Sequence, residues 1–189
     1  MNLPFCILIA CALLGSNKSS QVVKHSTSPD GKFELSIEQK GDYVCYHVET
    51  TDKKIVSDDF KSDFGGPSGM ARCEATPVLW RSDGNYFILH EATTRNADGF
   101  YIVTKTSAGF KPLPFDRGEI LKSAKIDPSL SFNYASFKAW LPGNRVELII
   151  RSWDGVSETS QPVDFVLDLT NGLNVLSWKV LKPEKGHGR

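Results

Sequence analysis

Three segments share one pattern, a tight turn followed by a strand. They are Ser28-Pro29-Asp30-Gly31-Lys32-Phe33-Glu34-Leu35-Ser36-Ile37, Arg81-Ser82-Asp83-Gly84-Asn85-Tyr86-Phe87-Ile88-Leu89-His90 and Leu141-Pro142-Gly143-Asn144-Arg145-Val146-Glu147-Leu148-Ile149-Ile150. The second begins 53 residues after the first and the third 113 after it. An internal repeat constrains a fold strongly. Each copy must be one supersecondary unit, and the copies must bury their apolar faces on one another. Asp-Gly and Gly-Asn tolerate the positive φ that tight hairpin turns require. Phe33, Leu35 and Ile37 then fall on one face of an extended strand, as do Val146, Leu148 and Ile150.

The flanks repeat as well. A strand precedes each turn (22–23, 77–80, 136–141) and another follows the repeated strand (43–50, 100–106, 163–170). A second turn and a last strand complete each copy (54–57, 110–113, 173–180). The chain is therefore expected to be all-β, with three four-stranded antiparallel units over about 22–60, 76–115 and 135–181. One short helix is predicted over 119–125 (EILKSAK), stopped by Asp127-Pro128. Segments 58–72 and 116–131 read as loops, and 183–189 as a polar, flexible tail.

Ser28-Pro29-Asp30-Gly31-Lys32-Phe33 resembles the SPDGK signature of TolB-type β-propeller blades, where it forms the hairpin between two strands of one blade. Arg81-Ser82-Asp83-Gly84-Asn85-Tyr86 is a looser match and Leu141-Pro142-Gly143-Asn144-Arg145 looser again. The resemblance implies a propeller-like fold and no particular activity. Two departures stand out. The copies are more widely spaced than the roughly 40–45 residues of a usual blade, which requires extended loops. Three copies also fall short of the 4 to 8 blades of a typical propeller. Either the sheets pack as a sandwich or open barrel, or partner copies complete a ring as a homo-oligomer.

Residues 3–14 (LPFCILIACALL) are almost wholly apolar, and a polar stretch follows at once. The run is shorter than the roughly 20 residues a membrane-spanning helix needs. It reads as a secretory signal over 1–16, although no Lys or Arg precedes it, and leaves 17–182 as a single domain. Leu8-Ile9-Ala10-Cys11 resembles a bacterial lipobox, which implies a lipid on Cys11. Ala10-Cys11-Ala12 equally fits ordinary cleavage after Ala12. The expected location is periplasmic, extracellular or lipid-anchored in the envelope, with membrane contact only through such an anchor. Outside the leader only Cys45 and Cys73 remain. An oxidising compartment allows them one bridge, worth roughly 3–4 kcal/mol by chain entropy. The other reading is two reduced, buried side chains.

The 22 basic and 22 acidic residues cancel, so no global charge favours nucleic acid. Catalytic patterns fail on inspection. His90-Glu91 lacks the second His of a zincin. Gly66-Pro67-Ser68-Gly69-Met70 lacks the last Gly of a nucleophile elbow. Asn96-Ala97-Asp98-Gly99 lacks the carboxylates of a calcium loop. The four histidines have no ligand spacing. No metal or cofactor is expected. Trp80, Trp140, Trp153 and Trp178 fall on strands or strand ends, and most of them are expected in the core. Binding is assigned instead to the longest loop, through Asp58, Asp59, Asp63 and Ser68. The function expected is a non-catalytic module that binds a protein or an envelope ligand. The alternatives are a hydrolase using loop carboxylates with His90 and Glu91, and an inhibitor of an exported hydrolase that presents residues 65–70.

Overall fold

The computed structural model describes residues 21–40, 43–52, 60–61, 78–91, 99–127, 132–153 and 159–185. Strands β1 (Gln21–Thr27), β2 (Phe33–Lys40), β3 (Tyr43–Thr50) and β4 (Phe60–Lys61) form the first sheet. The second holds β5 (Val78–Trp80), β6 (Tyr86–Glu91), β7 (Gly99–Thr106) and β8 (Gly109–Pro112). The third holds β9 (Phe132–Leu141), β10 (Arg145–Trp153), β11 (Thr159–Asp168) and β12 (Asn174–Val180). Each is a meander in which sequential strands pair antiparallel. A two-residue β13 (Glu184–Lys185) adds to β11 beyond the end of β12. The expected all-β class, with three four-stranded antiparallel units, is the architecture the chain adopts.

Strand alternation explains how the sheets stack. On the second sheet, Phe87, Leu89, Val103 and Phe110 point one way, into a buried cluster with Phe33, Leu35, Ile37, Tyr46 and Val48 of the first sheet. Tyr86, Ile88, Phe100 and Ile102 point the other way. They join Val146, Leu148, Ile150, Val163, Phe165 and Leu167 of the third sheet. The second sheet is thus the middle layer, buried on both faces. That is why Tyr86-Phe87-Ile88-Leu89 is an unbroken apolar run, whereas β2 alternates with Glu34, Ser36 and Glu38.

The two outer faces are polar. On the third sheet Lys138 Nζ donates to Glu147 Oε1 (2.6 Å) and Asp164 Oδ2 (2.5 Å), and Arg151 donates to Ser136 Oγ and Glu184 Oε2, each at 3.1 Å. The outer face of the first sheet carries Glu34, Ser36, Glu38, His47 and Glu49, all partly exposed. Closing a ring across these faces would bury charge rather than apolar surface.

Helix α1 (Arg117–Ser123) begins two residues before its expected start. Asp116 caps it by accepting from Glu119 N–H at 3.1 Å, and Asp-x-x-Glu is the capping signal that marks the true start. Ile120 and Leu121 anchor the helix in the core between the second and third sheets. The stretch 58–72, expected as a loop, contains β4, a strand too short to show a period-two pattern. The last strand expected at 54–57 lies outside the described residues.

Candidate functional site

The repeated turns hold the three sheets in register at one end. Gly31 N–H donates to Ser28 C=O (2.9 Å) and Ser28 N–H to Phe33 C=O (2.8 Å). The second copy repeats both bonds, Gly84 to Arg81 (3.0 Å) and Arg81 to Tyr86 (2.9 Å). Each turn sits at a left-handed glycine: Gly31 (φ +71°), Gly84 (φ +68°) and Gly143 (φ +71°). In the third copy the glycine comes one position earlier, because Arg145 pairs directly with Leu141 and the turn is one residue shorter. The carbonyls of Lys32, Asn85 and Asn144 accept from Thr51, Lys105 and Leu169 at 3.0, 2.8 and 2.7 Å, so the copies match in hydrogen bonding as well as in sequence.

Adjacent turns touch. The Asp30 carboxylate lies against Gly84, where an added Cβ would come within 2.8 Å of Oδ1. Arg81 Nη1 donates to Asn144 Oδ1 at 3.1 Å, and Trp80 Nε1 to Ser26 Oγ at 3.0 Å. Asp30 accepts from Ser28 Oγ (2.7 Å) and Lys32 N–H (3.2 Å), with Lys32 Nζ at 3.2 Å. These donors, Ser28 foremost, hold its carboxyl below the ordinary value of 3.8. A carboxyl lowered in the folded state stabilises the fold above its unfolded pKa, and that contribution is lost as pH falls through the folded value. Asp30→Asn is therefore expected to melt below the parent at pH 7, with the gap closing in acid below pH 3.8. A gap that persists unchanged to pH 2 would assign the loss to shape rather than charge. These turn residues bond within and between turns and tie the three sheets together.

The exposed apolar surface lies elsewhere. On β12, Leu176, Trp178 and Val180 are 53%, 43% and 45% exposed. Trp178 and Val180 pair with Phe165 and Val163, which are fully buried. Leu176, the extra residue where the ladder shifts register between Val166 and Leu167, falls in line with the other two by strand alternation. Among the described residues the strand is the edge of its sheet. Its apolar face follows that of β11 but stands clear of the second sheet. Trp178 is thus an exception to the tryptophans' expected core packing. Trp80 and Trp140 are half-buried and pack on the two cores, and the side chain of Trp153 lies outside the described residues. Leu176, Ser177, Trp178, Lys179 and Val180 alternate as a core strand would, so their sequence does not distinguish a covered strand from an overhanging one.

Two open clefts lie beside α1 and share Pro114 and Asp116. One, about 460 Å³, runs between α1 and the turn into β12 and is lined by Ile120, Ser123, Leu173 and Val175. The other, about 690 Å³, is lined by Phe100, Tyr101, Pro112, Phe115 and Arg117. There the Arg117 guanidinium sits 5.8 Å from the centre of the Phe115 ring, which packs on Phe100 at 5.1 Å. The first cleft reaches the start of β12 at Asn174 and Val175, next to Leu176 in the chain.

The residues singled out from sequence are placed unevenly. Asp58, Asp59, Asp63, Ser68, Cys11 and Cys73 lie outside the described residues. Cys45 is buried on β3, across from Glu38. His25 Nδ1 lies 3.1 Å from Ser36 Oγ, and His47 Nε2 lies 2.9 Å from Glu49 Oε1. His90 packs edge-on to Phe100 at 5.8 Å. Among the described residues no three His, Cys, Asp or Glu side chains gather as metal ligands. Nor is any described helix long and apolar enough to cross a membrane.

No family model matches the chain, and neither does any curated protein. Among solved structures it is similar to two of prolyl oligopeptidase B from Galerina marginata, both bound to a 35-residue hydrolysis and macrocyclization substrate. Identity is 15% in each case, with TM-scores of 0.48 and 0.49. The match covers 90% of this chain but only 23% and 24% of the enzyme chains, so this chain spans about a quarter of their length.

Proposed function

We propose that the chain is an exported, non-catalytic interaction module whose contact surface is the β12 edge with the cleft between α1 and the turn into β12. The exposure of Leu176, Trp178 and Val180 in one row on an edge strand carries this reading. Burying a large apolar side chain yields about 1.5–3 kcal/mol when complete, so these half-exposed groups offer roughly 1 kcal/mol each to a partner. An open strand edge adds unpaired backbone groups, a template for strand addition. Export is supported by the apolar run at 3–14 and the polar stretch after it.

A photo-crosslinking residue in place of Trp178 tests the contact surface in the native host, with His25, exposed on the first sheet, as the control position. Covalent adducts from position 178 and none from 25 are expected. Equal yields at both positions would contradict the assignment. Intact mass on the same material tests export. Loss of about the first 12–16 residues is expected, and a retained leader would contradict it.

A further inference from the structure

We propose that Asn171 is a site of spontaneous chemical modification: it loses ammonia to form a succinimide with the Gly172 nitrogen, and water opens the ring to aspartate or isoaspartate. Asn171-Gly172 is the one Asn-Gly pair in the chain. The reaction needs a side-chain carbonyl carbon to meet the backbone nitrogen of the next residue, and glycine, lacking a Cβ, shields that nitrogen least. The bond that forms joins Gly172 N to Asn171 Cγ. The bond that breaks joins Cγ to Nδ2, which leaves as ammonia with the proton of the Gly172 N–H. Water is the only other reactant. Its attack at Cγ gives aspartate. Its attack at the main-chain carbonyl carbon gives isoaspartate, which carries one extra methylene in the backbone.

The structure sets this pair apart from the repeated turns. Asp30-Gly31 and Asp83-Gly84 are able to close the same ring with loss of water, but both are held. Gly31 N–H donates to Ser28 C=O at 2.9 Å and Gly84 N–H to Arg81 C=O at 3.0 Å. The two carboxylates accept from Lys32 N–H at 3.2 Å and Asn85 N–H at 3.0 Å. Asn171 is exposed in the turn between β11 and β12. Among the described residues no group bonds its side chain, and Gly172 N–H reaches no acceptor at ordinary hydrogen-bond geometry. Gly172 has φ +101°, and nothing lies within 4 Å of where a Cβ would stand. Water therefore has open access to the ring.

The consequence falls on the start of β12. Gly172 lines the cleft that Asp116 and Glu119 also line, so either product adds negative charge beside an acidic rim. Leu169 before the turn is buried in the core between the second and third sheets, and Leu173 and Val175 after it pack on the same core. An extra main-chain atom between residues 171 and 172 must displace one side or the other. Isoaspartate therefore loosens the entry to β12, whereas aspartate leaves the backbone length unchanged.

Peptide mapping of the full chain tests this, with fragmentation that separates aspartate from isoaspartate. The chain is held at physiological temperature in mildly alkaline buffer made with heavy-oxygen water. Position 171 should gain one labelled oxygen and convert within about tenfold of the rate in a synthetic peptide of residues 168–175, whereas Asp30 and Asp83, held by their bonds, should isomerise more than about tenfold slower than in their own peptides. Asn171→Gln, an exposed change that closes the larger ring far more slowly, should stay unmodified and melt near the parent. The isoaspartate form should melt below freshly prepared Asn171→Asp. An Asn171 still intact after its peptide has converted, or an Asp30 that isomerises as fast as in its own peptide, overturns the inference. An isoaspartate form that melts together with Asn171→Asp overturns the effect on β12.

Discussion

Gly84→Val is expected to destabilise the chain by about 3 kcal/mol or more, and Gly31→Val by about 1–2 kcal/mol. Both glycines have φ near +70°, where a side chain with a Cβ is strained by roughly 1–2 kcal/mol. The difference is steric. Nothing lies within 4 Å of a Cβ added at Gly31, whereas one at Gly84 would meet the Asp30 carboxylate at 2.8–3.0 Å. Asp30 would have to move, giving up its bonds to Ser28 and Lys32. For a chain of this length each kcal/mol lowers the melting temperature by roughly 2–4 °C, so the Gly84 variant should lose on the order of 6–12 °C. Thermal melts of both variants check this. In an Asp30→Gly background the extra cost at position 84 should shrink towards that at 31. Equal losses at the two positions in the parent background would mean that the first and second turns do not stack.

The neighbours Phe87 and Ile88 should be comparably costly to truncate, but for separate reasons. Both are fully buried on β6, one in each core. Phe87 packs on Trp80 at 4.6 Å and Phe110 at 5.7 Å between ring centres. Phe87→Ala is expected to lose about 3–5 kcal/mol and Ile88→Ala about 2–5 kcal/mol. Glu34→Ala on the outer face should stay within about 0.5 kcal/mol of the parent. Double-mutant cycles by urea denaturation separate the cores. Phe87→Ala should couple to Leu35→Ala and not to Leu148→Ala, and Ile88→Ala should show the reverse. Coupling of both residues to the same partner would contradict the stacking.

Much of this fold is legible from the chain. The three turns, their glycines and the strands after them follow from Asp-Gly and Gly-Asn flanked by period-two apolar residues. The order of the layers was legible too, in the contrast between the unbroken Tyr86-Phe87-Ile88-Leu89 and the alternating Phe33-Glu34-Leu35-Ser36-Ile37. An unbroken run marks a strand buried on both faces, and an alternating one a strand with a wet side. The start of α1 was marked by Asp116 and Glu119.

The candidate site is less legible. Whether Trp178 is covered depends on how far the second sheet reaches across the third, a tertiary quantity that no local pattern encodes. The contact between Asp30 and Gly84 joins residues 54 positions apart. The turn signature alone gives their shared conformation but not their proximity. Asp58, Asp59, Asp63 and Ser68, favoured because long loops are often functional, lie outside the described residues. The surface proposed at β12 is built from an edge strand and a capped helix.

Methyl and aromatic nuclear Overhauser contacts from Ile88 and Leu89 test the central claim, a middle sheet buried on both faces, most directly. These residues are consecutive on β6 and belong to different clusters. The account predicts that Leu89 contacts Leu35, Ile37 or Val48 of the first sheet and none of the third. Ile88 should contact Val146, Leu148 or Val163 of the third sheet and none of the first. Contacts from both residues to one and the same sheet, or from either residue to neither, would contradict it.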